Sequence, residues 1–248
     1  MKKVILFAIY LATFAVYSQA PRGFYATAGI TQTDLKSSDL LSTPGIGYKV
    51  GLNFNMGYHE NYNYQIEMLF NHRALNFKTV TADYQTVGEQ KYLSETIDVG
   101  FYFNYYILKP EEDKFFLGPQ IGFAAAITGQ FTPAKTKTAE YDFSNYSEES
   151  YNEYYNNENR YLLPYLLDEG SFENTPQINF DAGLGLTGGY NDFRFDLRYT
   201  KGLNNRLSGV ETNNYDESHT YTGPALSGKL NTISFSVSYL FWKRIRKQ

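Results

Sequence analysis

From Gly45 to Tyr58 the chain alternates without a fault. Ile46, Tyr48, Val50, Leu52, Phe54, Met56 and Tyr58 take one phase, and Gly47, Lys49, Gly51, Asn53, Asn55 and Gly57 the other. Period two places one row on each side of an extended strand, whereas a helix would scatter the same residues around its circumference. The pattern recurs along the chain. Phe24, Ala26, Ala28 and Ile30 share a face, as do Tyr64, Ile66, Met68 and Phe70. Ile97, Val99, Phe101, Phe103, Tyr105 and Ile107 interleave with Asp98, Gly100, Tyr102, Asn104 and Tyr106. Leu117, Ile121, Phe123 and Ile127 stand against Gly118, Gln120, Gly122, Ala124 and Ala126, and Ile178, Phe180, Ala182, Leu184 and Leu186 against Asp181, Gly183, Gly185 and Thr187. Phe193, Phe195, Leu197 and Tyr199 alternate with Arg194, Asp196 and Arg198, and the series closes with Ile233, Phe235, Val237, Tyr239 and Phe241 among serines.

These segments predict eight strands, an even number that suits an antiparallel barrel with both ends on one side. Composition agrees: aromatic residues make up 18% of the chain, with 24 Tyr and 19 Phe, and such residues favour strands. The absence of cysteine removes disulfides, thiolate metal sites and a cysteine nucleophile. A net charge of −4, with no long basic block, argues against nucleic acid as a partner.

The N-terminus reads as an export signal. Lys2 and Lys3 precede an apolar run from Val4 to Val16, short for a spanning helix and followed by small or polar residues. Pro21 disfavours a cut after Ala20, so cleavage is expected after Ser18, giving a signal peptide over 1–18, a barrel over 19–242 and a basic tail over 243–248. Beyond the signal no apolar run approaches the roughly 18 residues of a membrane helix, so entry into a membrane must be by strands.

The connections alternate in length. His59–Asn63, Glu111–Lys114 and Asn191–Asp192 read as tight turns, and Gln32–Pro44, Thr81–Gln90, Thr132–Pro176 and Asn204–Gly228 as long loops. Short periplasmic turns and long extracellular loops are the asymmetry of outer-membrane barrels. The expected fold is therefore all-β: an eight-stranded antiparallel transmembrane barrel in the bacterial outer membrane, surrounded by outer-membrane lipid.

The polar phase distinguishes this object from a soluble barrel. It is rich in Gly, Ala, Asn and Thr, which suits a crowded interior. It also carries Lys49, Arg73, Arg194 and Arg198 against Glu67, Asp98, Asp181 and Asp196, a balanced set expected to pair inside the lumen, since isolated buried charges are prohibitive. A lumen filled in this way is a plug. Tyr58, Tyr62, Tyr64, Tyr105, Phe115, Tyr190, Tyr239, Phe241 and Trp242 fall at the predicted periplasmic strand ends, where amphipathic rings favour the interface.

Four short motifs, in order, carry a resemblance: Gly118-Pro119-Gln120-Ile121-Gly122, Asp181-Ala182-Gly183-Leu184-Gly185, Leu197-Arg198-Tyr199 with Gly202-Leu203, and the closing Ser238-Tyr239-Leu240-Phe241. Over nearly the whole mature chain the sequence resembles the PorT-like outer-membrane barrels, relatives in shape of the OmpA and OmpX barrels. The resemblance implies an outer-membrane barrel without a catalytic site, and for some members a link to a protein-secretion and gliding apparatus. The chain departs from that pattern in its long third outer loop and in the tail after Phe241.

That loop is the candidate recognition element. Between Glu140 and Glu173 it gathers nine acids against Arg160 alone, laced with Tyr146, Tyr151, Tyr154, Tyr155 and Tyr161. Rigid rings among Asn and acids supply contact area at low entropic cost, and the acids could instead take a divalent cation. Tyr161–Leu167 could close over the barrel mouth. Catalysis is not expected: His59, His72 and His219 are dispersed, and His219 with Asp216 and Ser218 is a sequence neighbourhood rather than a triad. No cofactor or metal site is assigned. The basic tail from Lys243 suits anionic headgroups or a periplasmic protein partner. The functional expectation is a non-enzymatic barrel with a closed lumen that displays its loops for binding or assembly. The alternatives are a subunit of a secretion or gliding apparatus and a small-solute channel or transporter.

Overall fold

Alternating rows require the strands to bury one face and give the other to a different medium, and the architecture follows from that division. The computed structural model describes residues 23–57, 61–80, 86–109, 115–127, 129–134, 175–210 and 226–243. The strands are β1 (Gly23–Ser37), β2 (Leu41–Gly57), β3 (Tyr62–Val80), β4 (Thr86–Tyr105), β5 (Phe115–Ile127), β6 (Thr132–Pro133), β7 (Ile178–Tyr190), β8 (Phe193–Gly202) and β9 (Gly228–Lys243). The sheet runs β3-β2-β1-β9-β8-β7-β5-β4, and β4 pairs again with β3, so the eight long strands close into an antiparallel barrel with no free edge. The two-residue β6 adds to the outer end of β4 through Leu93 and Thr132. Closure satisfies every ladder, which a strand structure in hydrocarbon must achieve.

The apolar rows face outward. Ile30, Ile121 and Phe123 are about 60% exposed, at 61%, 59% and 63%, and an apolar surface of that extent suits lipid rather than water. Cross-strand register lines up its upper edge: Phe235 pairs with Ile30, Ile30 with Tyr48, Phe70 with Ile97, Ile97 with Ile127 and Ile127 with Ile178. The lower edge is aromatic, with Phe24 on Trp242 and Phe54, Tyr62 and Tyr64 on Phe103, and Phe193 on Tyr239. From Ile233 to Phe241, β9 climbs about 26 Å along its axis at about 3.3 Å per residue, or about 20 Å along the membrane normal at a tilt of about 40°. At the lower edge, Asn191 takes the left-handed conformation (φ 53°) in the tight β7–β8 turn, where Asn is favoured.

Several strands outrun their expected ends. The segment read as a Gln32–Pro44 loop belongs mostly to β1 and β2, which continue to Ser37 and start at Leu41; β3 extends to Val80, β4 begins at Thr86, and Thr132–Pro133 pair with β4 rather than lying in a loop. β4 stops at Tyr105, short of the expected Ile107, and β9 runs on to Lys243, paired with Gly23. The physical reason is that the alternation changes phase above the membrane. On β3 the outward row passes from Met68 and Phe70 to His72, Asn76 and Lys78, while the inward row passes from Asn71 and Arg73 to the fully buried Leu75 and Phe77. Outside lipid the strand becomes a water-facing strand over a small apolar core.

Proline positions fit the ladders. Register between β2 and β3 slips between Pro44 and Tyr48, a bulge of the kind in which a residue without an N–H is tolerated. The β4–β5 ladder ends at Asn104 and Gln120, next to Pro119.

Candidate functional site

The lumen is layered, and each layer follows from which inward residues share a height. At the periplasmic end Tyr25, Tyr106, Phe116 and Leu240 are buried, with Tyr106 edge-on to Phe116 at 5.5 Å. Above them lies Arg194, 1% exposed. Its Nε donates to Asp196 Oδ1 at 3.0 Å, Nη1 to Asn55 Oδ1 at 2.9 Å, and Nη2 to Gln65 Oε1 at 2.5 Å and Asn104 Oδ1 at 3.2 Å. One guanidinium thus ties together β8, β2, β3 and β4, using the donor fork that makes Arg suited to such nodes.

The middle layer is built around Arg198. Its Nη1 donates to Glu67 Oε1 at 2.6 Å and its Nε to Gln120 Oε1 at 2.7 Å, while its Cζ lies 3.6 Å from the centroid of the Tyr102 ring. Gly100 makes room for this stack: a Cβ there would sit 2.6 Å from the Tyr102 ring and 2.9 Å from Glu67 Cγ. Glycine is required by close approach here rather than by backbone conformation.

The upper layer joins Arg73 to two carboxylates. Arg73 Nη2 lies 2.5 Å from Asp98 Oδ2 and 3.6 Å from Asp181 Oδ2, and Asp98 also accepts from Asn71 at 2.6 Å and Thr96 at 2.7 Å. Lys49 is buried but, among the described residues, has no carboxylate within salt-bridge reach; its Nζ donates to Ser234 Oγ at 3.0 Å. Between the middle and upper layers lies a cavity of about 30 Å³, lined by Lys49, Glu67, Arg73, Asp98, Asp181 and Arg198 among others. That volume suits roughly two water molecules at about 10–15 Å³ each.

All eight charged residues expected in the lumen are there and buried, and seven of them meet in three ion-paired groups. Sequence reasoning missed a ninth. Arg206, 2% exposed, lies after β8, donates Nη1 to the Pro176 carbonyl at 2.8 Å and sits 5.1 Å from the Phe131 ring. Burial, and next the positive charge of Arg73, lowers its pKa against the opposing pull of Asp181 and Asp98. No periodicity marks its irregular segment, so the sequence held no signal for it. Buried Asp39, which accepts from Ser227 N at 2.8 Å and Ser227 Oγ at 3.1 Å, was missed for the same reason.

Over these polar layers sits a feature of the opposite character. Leu35, Leu40, Leu75, Phe77, Tyr92, Phe131, Leu207, Val210, Leu226 and Leu230 form one buried apolar cluster, with Phe77 and Tyr92 at 4.9 Å between ring centroids. The polar inward row expected along the whole barrel therefore gives way to an apolar cap at the extracellular end.

A closed barrel of this kind matches the family model described as "Outer membrane protein beta-barrel domain" over residues 17–208. The chain belongs to that family. The match spans every barrel strand but β9, which the register supplies, and it places the protein in the outer membrane. No curated protein matches the sequence. Among solved structures, the outer membrane enzyme PagL is similar at 8% identity and a TM-score of 0.42, with 88% of this chain and 99% of that one covered. Neisserial surface protein A is similar at 9% identity and a TM-score of 0.39, covering 91% and 100%. The outer membrane protein OprG from Pseudomonas aeruginosa is similar at 13% and 0.34, covering 89% and 97%.

The other candidate residues of this outer-membrane barrel lie elsewhere. His72 is on the outer surface, its ring stacked on Tyr48 at 5.0 Å and its Nδ1 3.4 Å from Glu95 Oε1. Tyr146, Tyr151, Tyr154, Tyr155 and Tyr161 lie outside the described residues, as do the expected lid, the acids of the third loop, Tyr58, His59, Asp216, Ser218, His219, the signal segment and the tail after Lys243. Among the described residues no group of three or more His, Asp or Glu is arranged to hold a metal ion.

Proposed function

We propose that this barrel is non-enzymatic, keeps its lumen closed, and acts by presenting its extracellular segments to a binding partner or by holding a place in an envelope assembly. One observation carries the reading: side chains fill the lumen from Tyr25 and Leu240 at one end to Phe77 and Leu207 at the other. The buried charges neutralise one another across the interior in place of forming a uniformly lined path, and a cavity of about 30 Å³ leaves a hydrated solute no room. Reconstituted into planar bilayers, the full protein is expected to show no steady conductance. Persistent channels of nanosiemens size would overturn the closed lumen.

With the lumen occupied, recognition falls to the outside. The Tyr-rich acidic segment has the residue chemistry of a binding surface, and within the family the motifs around Gly118 and Asp181 favour the PorT-like group, in which the partner would be a protein of a secretion apparatus. Deleting residues 140–173 is expected to leave a folded, heat-modifiable barrel while abolishing capture of its partner in cross-linking from cells. An unchanged cross-linking profile would end the claim for this segment.

A further inference from the structure

The lipid-facing surface just beyond the apolar belt is not uniform. On β8 the outward residue after Tyr199 is Lys201; on β9 the row runs from Ile233 through Asn231 to Lys229; on β1 it runs from Ile30 through Gln32 and Asp34 to Lys36. Register brings the three lysines together: Lys36 pairs directly with Lys229, and Lys201 pairs with Asn231, placing it diagonal to Lys229 on the same face. The only acid on these rows is Asp34, whose Oδ2 lies 2.6 Å from Lys36 Nζ. Among the described residues, no carboxylate lies within salt-bridge reach of Lys201 or Lys229, and both are exposed. The opposite wall differs. There the outward lysines stand among acids, Lys78 opposite Glu89 and Lys91 between Glu89 and Glu95 along β4.

Asp34 offsets one of the three charges, that of Lys36, and leaves Lys229, directly opposed to a like charge, and Lys201 on the diagonal with room for a further anion. Height indicates which anion. At about 3.3 Å per residue and a tilt of about 40°, Lys201 lies about 5 Å and Lys229 about 10 Å beyond the belt edge along the membrane normal. The headgroup layer is about 5–8 Å deep on each side, so Lys201 lies within it, while Lys229 and the Lys36 paired with it stand just above it, and long lysine stems reach back toward it over apolar surface. The patch is continuous with the lipid-facing belt through Tyr199 and Ile233, so a molecule seated on it would have acyl chains below and a charged group above.

We infer that Lys36, Lys201 and Lys229 form a clamp for the phosphate of an anionic lipid in the outer leaflet. The occupant is a lipid bearing a phosphomonoester or similar dianionic headgroup, held by its phosphate against the three ammonium groups and by its chains against the belt.

The test is native mass spectrometry of the full, folded protein in detergent micelles carrying equal amounts of phosphatidic acid and phosphatidylcholine of the same chain length. The wild type is expected to retain phosphatidic acid over phosphatidylcholine by about tenfold or more, since one lysine near an anionic surface is worth roughly a fivefold gain. The Lys36→Gln/Lys201→Gln/Lys229→Gln variant is expected to bring that preference to within about twofold of unity, and Lys78→Gln/Lys91→Gln to leave it intact. Heat-modifiable gel migration verifies folding, and if the triple variant does not fold, Lys36→Gln/Lys229→Gln is read in its place. A preference retained without the lysines, or lost equally in the control variant, overturns the clamp. Displacement of phosphatidic acid by millimolar inorganic phosphate would also overturn it, since the site would then take the free ion and not the lipid.

Discussion

Arg198→Met is expected to cost about 3–5 kcal/mol of barrel stability, because it strands Glu67 as a buried carboxylate without its cation. In the wild type that carboxylate accepts from Arg198 Nη1 at 2.6 Å, and the same guanidinium bonds Gln120 and covers the Tyr102 ring. Among the described residues, Glu67 would keep only the neutral donor Gln65 Nε2 at 3.2 Å, and the roughly two waters that the adjoining cavity of about 30 Å³ can hold carry no charge to replace the guanidinium. The double change Glu67→Met/Arg198→Met is expected to recover most of the loss, since replacing a buried pair outright removes two desolvation penalties along with one attraction. Lys49→Met serves as contrast. Its ammonium bonds a serine hydroxyl and no carboxylate, so its loss is expected to cost less than about 1 kcal/mol. Urea midpoints of the three variants, read by heat-modifiable migration after incubation in lipid vesicles, decide the matter. A double variant as unstable as the single one would show that the pair is not the unit of stabilisation.

What the sequence could and could not disclose about this network follows from the same physics. The position of each charge was legible, because lipid requires the outward row to stay apolar and period two then sends Lys49, Glu67, Asp98, Arg194 and Arg198 inward without exception. The partners were not. Glu67 and Arg198 are separated by 131 positions and sit on β3 and β8, which are not neighbours in the sheet; only the stagger of the closed barrel brings them to one height. Arg73 meets Asp98 on the adjoining strand but reaches Asp181 across the lumen, so even one residue combines a local and a nonlocal contact. The charge clamp on the outer wall was invisible for a related reason: Lys36 and Lys229 become neighbours only through the pairing of the first and last strands.

Residues 32–37 and 41–44, read as loop, belong to β1 and β2, and the outward row of β3 was followed only to Phe70, because the pattern at this end of the barrel is the inverse of the pattern below it. In Ala74-Leu75-Asn76-Phe77-Lys78 the apolar residues fall on the phase that lower down carries Asn71 and Arg73. A reader tracking the outward row finds it ending at Phe70. The inversion marks the place where the surrounding medium changes from lipid to water, while the interior changes from charge network to apolar core.

This inversion makes the cap and the belt separable, and Phe77→Ala is expected to show it. Phe77 is fully buried, packed with Tyr92 in a cluster assembled from β1, β3, β4, β9 and the segments around Phe131, Leu207 and Leu226. Truncation removes a whole ring from a close-packed site, and the cost for such a change is about 3–5 kcal/mol. Opening of the cap alone does not require strands to leave the bilayer, because its ladders at Leu35, Leu75 and Leu230 already have water as an alternative partner. Belt ladders have none, since a broken hydrogen bond in hydrocarbon stays unsatisfied. The loss is therefore expected to fall on a local opening unit. Hydrogen exchange should accelerate on the order of a hundredfold or more at residues 33–37, 73–78 and 229–231, in line with that energy, and stay unchanged at 50–54, 99–103 and 233–237. Equal acceleration in both sets would show that cap and belt unfold as one unit, and that the change of medium at Phe70 divides the sequence pattern without dividing the cooperative structure.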